Sequence, residues 1–141
     1  MSLNTGAFTT DTKLSFILPS RLAPHPATGN RILFLERCVS RIRLQEGLNN
    51  YQYEIVVGLD AGVSARAPKS WPDVRYAESS ISGQAGAVNA AAAVSTGDVF
   101  VLVEDDDFPA RSRLRIQLGV LGRGYDLVTS NALLIDVFGD Y

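Results

Sequence analysis

The chain has 141 residues, of which 46% are hydrophobic and 20% are charged, and its formal net charge is −2. This length and composition are typical of one globular domain with a sizeable core. The net charge gives no electrostatic case for nucleic acid, which is bound by clustered basic surfaces. Cys38 is the only cysteine, so an intrachain disulfide is excluded.

No segment approaches the roughly 20 apolar residues of a membrane span. The N-terminal residues 1–13 are polar and lack the charged-then-apolar layout of a signal peptide. We therefore expect a cytoplasmic protein with no membrane span. Residues 1–12 are expected to be disordered, and residues 13–141 to form the domain.

Strands and helices alternate along the chain, as judged from apolar periodicity and turn residues. The strand at 14–18 is predicted to end at Pro19, and the helix at 83–96 to be capped by Gly97. The predicted elements, in chain order, are a strand at 14–18, a helix with its apolar face at Ile32, Leu35, Cys38, Val39 and Ile42, strands at 54–59 and 74–76, a helix at 83–96, a strand at 99–103, a helix at 110–121, a strand at 126–129 and an extended segment at 132–138.

Cys38 and the helix-spaced arginines are interpreted as structural residues. Cys38 falls within the apolar helical pattern, so we expect it to be a buried core residue. The helix-spaced arginines are interpreted as solvated faces; they are Arg37, Arg41, Arg43, Arg111, Arg113 and Arg115.

Alternating strands and helices predict an α/β fold in which a mostly parallel sheet is covered on both faces. Ligands of such sheets bind beyond the carboxyl ends of the strands. The strand ends at Pro19, Asp60 and Glu104 are therefore expected to converge on one crevice.

The last of these ends is acidic. The uninterrupted apolar run 99–103 predicts a buried strand, and it leads directly into Glu104-Asp105-Asp106-Asp107. Adjacent carboxylates oppose each other's ionisation, and a hard divalent cation removes that cost while also binding substrate phosphates. The alternative interpretation of these four acidic residues is a solvated turn before Pro109. The convergence of the three loops favours a metal–phosphate site.

Four segments, in order, resemble the family 2 glycosyltransferases, which have the GT-A fold and use nucleotide-sugar donors. The strand Phe16-Ile17-Leu18 leads to Pro19-Ser20, as in the family's first strand. Glu54-Ile55-Val56-Val57 leads to Asp60-Ala61-Gly62. The third segment runs from Gly86 through Asn89 to Gly97-Asp98, and the fourth is the acidic motif from Leu102 to Pro109.

The resemblance implies a GT-A, Rossmann-like three-layer sandwich whose acceptor half is largely missing. It also implies roles for individual residues. The donor-binding residues would be Pro19, Ser20, Arg21, Asp60, Asn89 and Asp105, with Arg111 as an alternative to Arg21 as the positive contact to the donor. The ligands of Mg²⁺ or Mn²⁺ would be Glu104, Asp106 and Asp107, with Asp106 the main one.

The function implied is inverting transfer of a sugar from a UDP, GDP or dTDP donor to an acceptor hydroxyl. No general base is identified, and Asp136 and Asp140 are the only downstream candidates. The alternative is a catalytically silent nucleotide-binding or interaction module of the same fold. A dinucleotide-binding domain is disfavoured, because no glycine fingerprint follows the first strand. Exposed apolar surface near 132–138 is expected to support self-association.

Overall fold

The computed structural model describes residues 8–23, 33–69 and 71–130. Across these residues, the chain forms four strands and three α-helices. The strands are β1 (Lys13–Ser20), β2 (Gln52–Leu59), β3 (Val74–Glu78) and β4 (Val99–Leu102), and the helices are α1 (Leu33–Arg43), α2 (Gln84–Val94) and α3 (Arg113–Leu121).

The four strands form one parallel sheet in the order β3-β2-β1-β4. Because β1 lies inside the sheet, between β2 and β4, the carboxyl ends of these three strands lie side by side at one end of the sheet. The predicted α/β fold with a parallel sheet is confirmed.

The sheet has an apolar core on each face, because successive side chains of a strand point to opposite sides. Leu14, Phe16 and Leu18 of β1 belong to the larger core, which includes residues of α1 and α3. Ile17 points the other way and packs with Val56 and with Ala91 of α2. Cys38 is fully buried in the larger core, as predicted.

Gly58 allows α2 to approach the sheet closely. A Cβ atom built on Gly58 would lie 1.9 Å from the backbone oxygen of Ala87. Any side chain at this position would therefore push α2, whose first turn borders the crevice, away from β2.

The prediction that Pro19 ends the first strand is wrong. Pro19 is buried and pairs with Gly58, and β1 continues to Ser20. Proline is tolerated here because its missing N–H would point towards β4, whose pairing with β1 already ends at Ile17.

Gly97 is not the cap of α2, which ends at Val94 with Ser95 in an extended conformation. Gly97 instead packs directly on β1: its N–H donates to the Ser15 hydroxyl at 2.8 Å, and a Cβ atom would lie 2.4 Å from that oxygen. Close backbone approach, and not helix capping, therefore requires this glycine.

The apolar run 99–103 was predicted to be a buried strand, but β4 lies at the edge of the described sheet. The side chains of Phe100 and Leu102 are 54% and 47% exposed. Both point to the α2 face, and α2 packs over β1, β2 and β3. An apolar run alone does not show which strands a helix covers.

The predicted strand at 126–129 is absent, since these residues have no regular structure and Leu127 is 78% exposed. The run was too short to specify a pairing partner, and none of the described strands pairs with it. The extended segment at 132–138, with its expected exposed surface and self-association, lies outside the described residues.

Residues 8–12 precede β1 and contain a turn closed by the Thr12 amide and the Thr9 carbonyl at 3.0 Å. Phe8 packs against the larger core. The expectation for residues 1–7 concerns a segment outside the described residues.

Candidate functional site

A cleft of about 510 Å³ opens at the carboxyl ends of the strands. Its walls are the end of β1, the end of β2, the first turn of α2 and the acidic segment after β4. The lining residues are Pro19, Ser20, Arg21, Asp60, Ser82, Gly83, Gln84, Ala87, Glu104, Asp105 and Asp106. The three strand ends predicted to converge do so.

The end of β1 is tied to the acidic segment through the buried Ser20 hydroxyl. Ser20 Oγ donates to Asp105 Oδ2 at 2.5 Å and accepts the N–H of Leu22 at 3.0 Å. Leu22 has a left-handed backbone (φ 51°), which is uncommon for a branched residue. The hydroxyl therefore holds this turn and orients Asp105 at the same time.

Asp105 is the most enclosed of the four acidic side chains. Burial raises the pKa of its carboxyl, and the negative charge of Asp106 raises it further, while the Ser20 hydrogen bond and Arg21 act in the opposite direction. Its hydrogen bond to Ser20 makes Asp105 a structural link between two walls of the cleft.

The acidic segment folds into a tight turn, which we call the acidic turn (residues 104–107). The Asp107 N–H donates to the Glu104 carbonyl at 3.0 Å, and the Asp107 carboxylate accepts the Glu104 N–H at 3.4 Å. Asp107 therefore caps the turn locally and is not among the residues lining the cleft.

Glu104 and Asp106 present their carboxylates to the cleft. Glu104 Oε1 accepts a hydrogen bond from Gln84 Nε2 at 2.7 Å, which bridges the acidic turn and the first turn of α2. The carboxylate of Asp106 is exposed and accepts no hydrogen bond from the described part of the chain. Asp106 is thus the acid most available to a ligand.

Asp60 joins the end of β2 to the start of α2. Its Oδ1 accepts the N–H of Ala61 at 2.9 Å and the N–H of Gly83 at 2.8 Å. Gly83 has a positive φ of 106°, a conformation that glycine adopts without strain. Asp60 therefore fixes the helix start beside the cleft while itself remaining half-buried.

The remaining predicted site residues fall in different places. Pro19 and Arg21 line the cleft, and Arg21 supplies the only cationic side chain among its lining residues. Asn89 is exposed on α2 and does not line the cleft, nor does Arg111, whose carbonyl accepts the Glu46 N–H. Asp136 and Asp140 lie outside the described residues.

Two contacts were not anticipated from the sequence. The sequence predicted no side-chain role for Gln84, yet its Nε2 donates a hydrogen bond to Glu104 Oε1. Arg37 and Arg41 were assigned to a solvated face, yet both guanidinium groups lie over the ring of Phe108. An aromatic residue directly after an acidic run was the one local signal for the second contact.

The donor chemistry of the cleft suits a hard divalent cation. Within the described residues, no three His, Cys, Asp or Glu side chains converge as a complete metal cage. Mg²⁺ bound with substrate phosphates needs only one or two protein carboxylates, because phosphates and water complete its coordination. Glu104 and Asp106, two carboxylates at the rim of one cleft, fit that requirement.

A parallel α/β domain with a polar cleft at its strand ends has the architecture of the open α/β folds, which bind ligands beyond the carboxyl ends of their strands. The comparison with protein families defines the class further. Residues 27–139 match the family described as glycosyl transferase family 2. The chain therefore belongs to glycosyl transferase family 2.

A comparison with curated proteins gives no match. Among the described residues, no helix has both the length and the apolar character needed to cross a membrane.

Proposed function

We propose that this domain binds a nucleoside diphosphate sugar together with Mg²⁺ or Mn²⁺ and transfers the sugar to an acceptor hydroxyl with inversion. The observation that carries the proposal is the cleft, in which the acidic turn faces the first turn of α2 in a family 2 chain. This geometry offers a place for a diphosphate between carboxylates and backbone amides.

The charge balance of the cleft argues that the diphosphate binds with a cation. Four of the residues lining it are acidic, and Arg21 is the only basic one. A diphosphate alone would be repelled by this surface at neutral pH, because nearby like charges raise each other's energy. When bound, the metal would neutralise phosphate charge and stabilise the charge that develops as the glycosidic bond breaks.

Individual residues would divide the work as follows. Asp106 and Glu104 would hold the metal, and Glu104 would exchange its contact with Gln84 for the ion. Arg21 would contact a phosphate oxygen. The free N–H groups of the first turn of α2, which begins after Gly83, would face the same negative charge.

The nucleoside would occupy the other end of the cleft, against Pro19, Ser20 and Asp60. Pro19 offers an apolar surface, and Asp60 retains one carboxylate oxygen beyond its two amide contacts. That oxygen would accept a hydrogen bond from the base. Asp105 would act by holding the acidic turn against Ser20.

The first experiment is calorimetric titration of the protein with UDP, GDP and dTDP, each with and without Mn²⁺. One nucleotide should bind only when the metal is present. The variant Asp106→Asn should weaken that binding by about tenfold or more, since a contact to a charged group is lost. Asp126→Asn, which removes an exposed charge outside the cleft, is the matched control.

A catalytically silent nucleotide-binding module is the second candidate, and one observation favours it. Within the described part of the chain, the carboxylates lining the cleft are confined to Asp60 and the acidic turn, so none remains as a separate general base. Nucleotide binding without metal-dependent sugar transfer to any acceptor would support this candidate. Detectable transfer would refute it.

A further inference from the structure

Phe108 follows the acidic turn directly, and its ring packs against two arginines of α1. The guanidinium carbon of Arg41 lies 3.7 Å from the ring centroid, and that of Arg37 lies 5.1 Å from it. The two arginines are four residues apart and therefore occupy neighbouring positions on one helix face. We call this group of Phe108, Arg37 and Arg41 the Phe108 clasp.

The other end of the acidic turn is also attached to α1. The Sγ atom of Cys38 donates to the backbone carbonyl of Glu104 at 3.4 Å. Cys38 is fully buried, whereas the ring of Phe108 is 37% exposed. Helix α1 thus holds the turn at its first residue through Cys38 and just after its last residue through Arg41.

The arginines of α1 that stack on the Phe108 ring are Arg37 and Arg41. Arg43, on the same helix, instead forms an ion pair with Asp73, with Nη2 2.7 Å from Oδ1. Arg37 and Arg41 thus hold the residue that directly follows four adjacent carboxylates, whose mutual repulsion would otherwise spread the turn. An arginine stacked on an aromatic face is held by cation–π attraction as well as by packing.

We propose that the Phe108 clasp positions the acidic turn so that Glu104 and Asp106 face the cleft in a geometry ready for a divalent cation. Phe108 and Arg41 are positioning residues, since neither lines the cleft. Without the clasp, binding of the cation must also order the turn, and this lowers the affinity. The inference rests on the proposed metal site.

The test measures Mn²⁺ binding by calorimetry without any nucleotide, on the whole chain. Phe108→Leu and Arg41→Met should each bind Mn²⁺ about three- to tenfold more weakly than the wild type, the range expected for loss of a cation–π contact. Phe108→Tyr and Arg41→Lys keep an aromatic ring and a cation, and they should stay within about twofold. Arg43→Met is the control on the same helix and should leave Mn²⁺ affinity unchanged.

The sign of the Arg41→Met effect separates positioning from simple electrostatics. If Arg41 acted only through its charge, its removal would strengthen binding of a cation nearby. Weaker binding therefore requires a positional role. Urea unfolding midpoints, followed by Trp71 fluorescence, identify any variant whose fold is lost, and the Arg41 and Phe108 variants test the clasp independently.

The outcomes for the two proposals are distinguishable. Failure of the wild type to bind Mn²⁺ would overturn the proposed metal site and the clasp together. Binding by the wild type that is unchanged in Phe108→Leu, or strengthened in Arg41→Met, would overturn the clasp alone.

Discussion

Glu54 is the centre of a polar network at the amino end of the sheet, opposite the cleft. Its Oε1 accepts the Ser15 hydroxyl at 2.7 Å and the Thr96 N–H at 2.6 Å. Its Oε2 pairs with Arg75 at 2.9 Å and with Lys13 at 3.7 Å. One carboxylate therefore connects β1, β2, β3 and the segment that leads into β4.

The network changes the pKa of Glu54 strongly. Burial by itself raises the pKa, but the hydrogen bonds from the Thr96 amide, the Ser15 hydroxyl and Arg75 outweigh it and lower the pKa from 4.5 to about 2. The Glu54 side chain is 10% exposed, but its partners Lys13 and Arg75 are 31% and 51% exposed, so solvent screens part of these interactions. With this screening, the lowered pKa corresponds to about 1–2 kcal/mol of folding stability.

The pH dependence follows from the direction of the shift. A carboxyl with a lowered pKa in the folded state stabilises the fold fully above its unfolded pKa of 4.5 and loses that contribution as the pH falls towards about 2. Glu54→Gln keeps an acceptor for Ser15 and Thr96 but removes the charge. It should destabilise the protein by about 1–2 kcal/mol at pH 7, and this difference should shrink below pH 4.5.

The assay is urea unfolding of the wild type and Glu54→Gln between pH 7 and pH 3, followed by the fluorescence of Trp71. Trp71 is the only tryptophan and packs against the larger core. The control is Glu46→Gln, which removes an exposed ion pair to Arg115 and should cost less than about 1 kcal/mol.

Two results would contradict this account of Glu54. The first is a stability difference between wild type and Glu54→Gln that stays constant from pH 7 to pH 3. The second is a Glu54→Gln variant as stable at pH 7 as the wild type.

Two substitutions and one labelling experiment test the packing around the cleft. Gly58→Ala should destabilise the fold by about 1–3 kcal/mol or prevent folding, since the added Cβ atom meets the Ala87 oxygen; a urea midpoint equal to that of the wild type would count against close packing of α2. Ser20→Ala removes the hydrogen bond to Asp105 and should cost about 1–3 kcal/mol in the same assay; no loss would mean that the bond contributes little. The pKa of the Cys38 thiol is raised by burial and, to a smaller extent, by the charge of Asp105. Cys38 should therefore resist alkylation in the native protein and react in urea. Rapid labelling of the native protein would show that α1 is not packed as described.

The local signals in the sequence were sufficient for the order of the elements from β1 to α3 and for the place of the cleft. Runs of β-branched residues marked strands, and the apolar spacing of Leu35, Cys38 and Ile42 marked the buried face of α1; all three side chains are fully buried or nearly so. The carboxyl ends of parallel strands meet at one end of the sheet, so the sequence alone assigns the acidic run to that end.

Only the tertiary structure determined which side chains at that end of the sheet are hydrogen-bonded to one another. Ser20 and Asp105 are 85 residues apart, and their hydrogen bond depends on β1 and β4 being neighbours. The continuation of β1 through Pro19 depends on its pairing with β2, where Pro19 lies opposite Gly58. A sequence read locally specifies backbone preference, but side-chain partners depend on strand order, which long-range packing decides.

The same distinction explains the acidic turn. The sequence alone determined that four carboxylates follow a strand and that a cation would relieve their repulsion. Contacts with other elements decided that Asp105 faces Ser20, that Glu104 meets Gln84, and that Phe108 stacks on Arg41. Adjacent residues of identical charge are chemically equivalent along a chain, and only their packing against different neighbours makes them different.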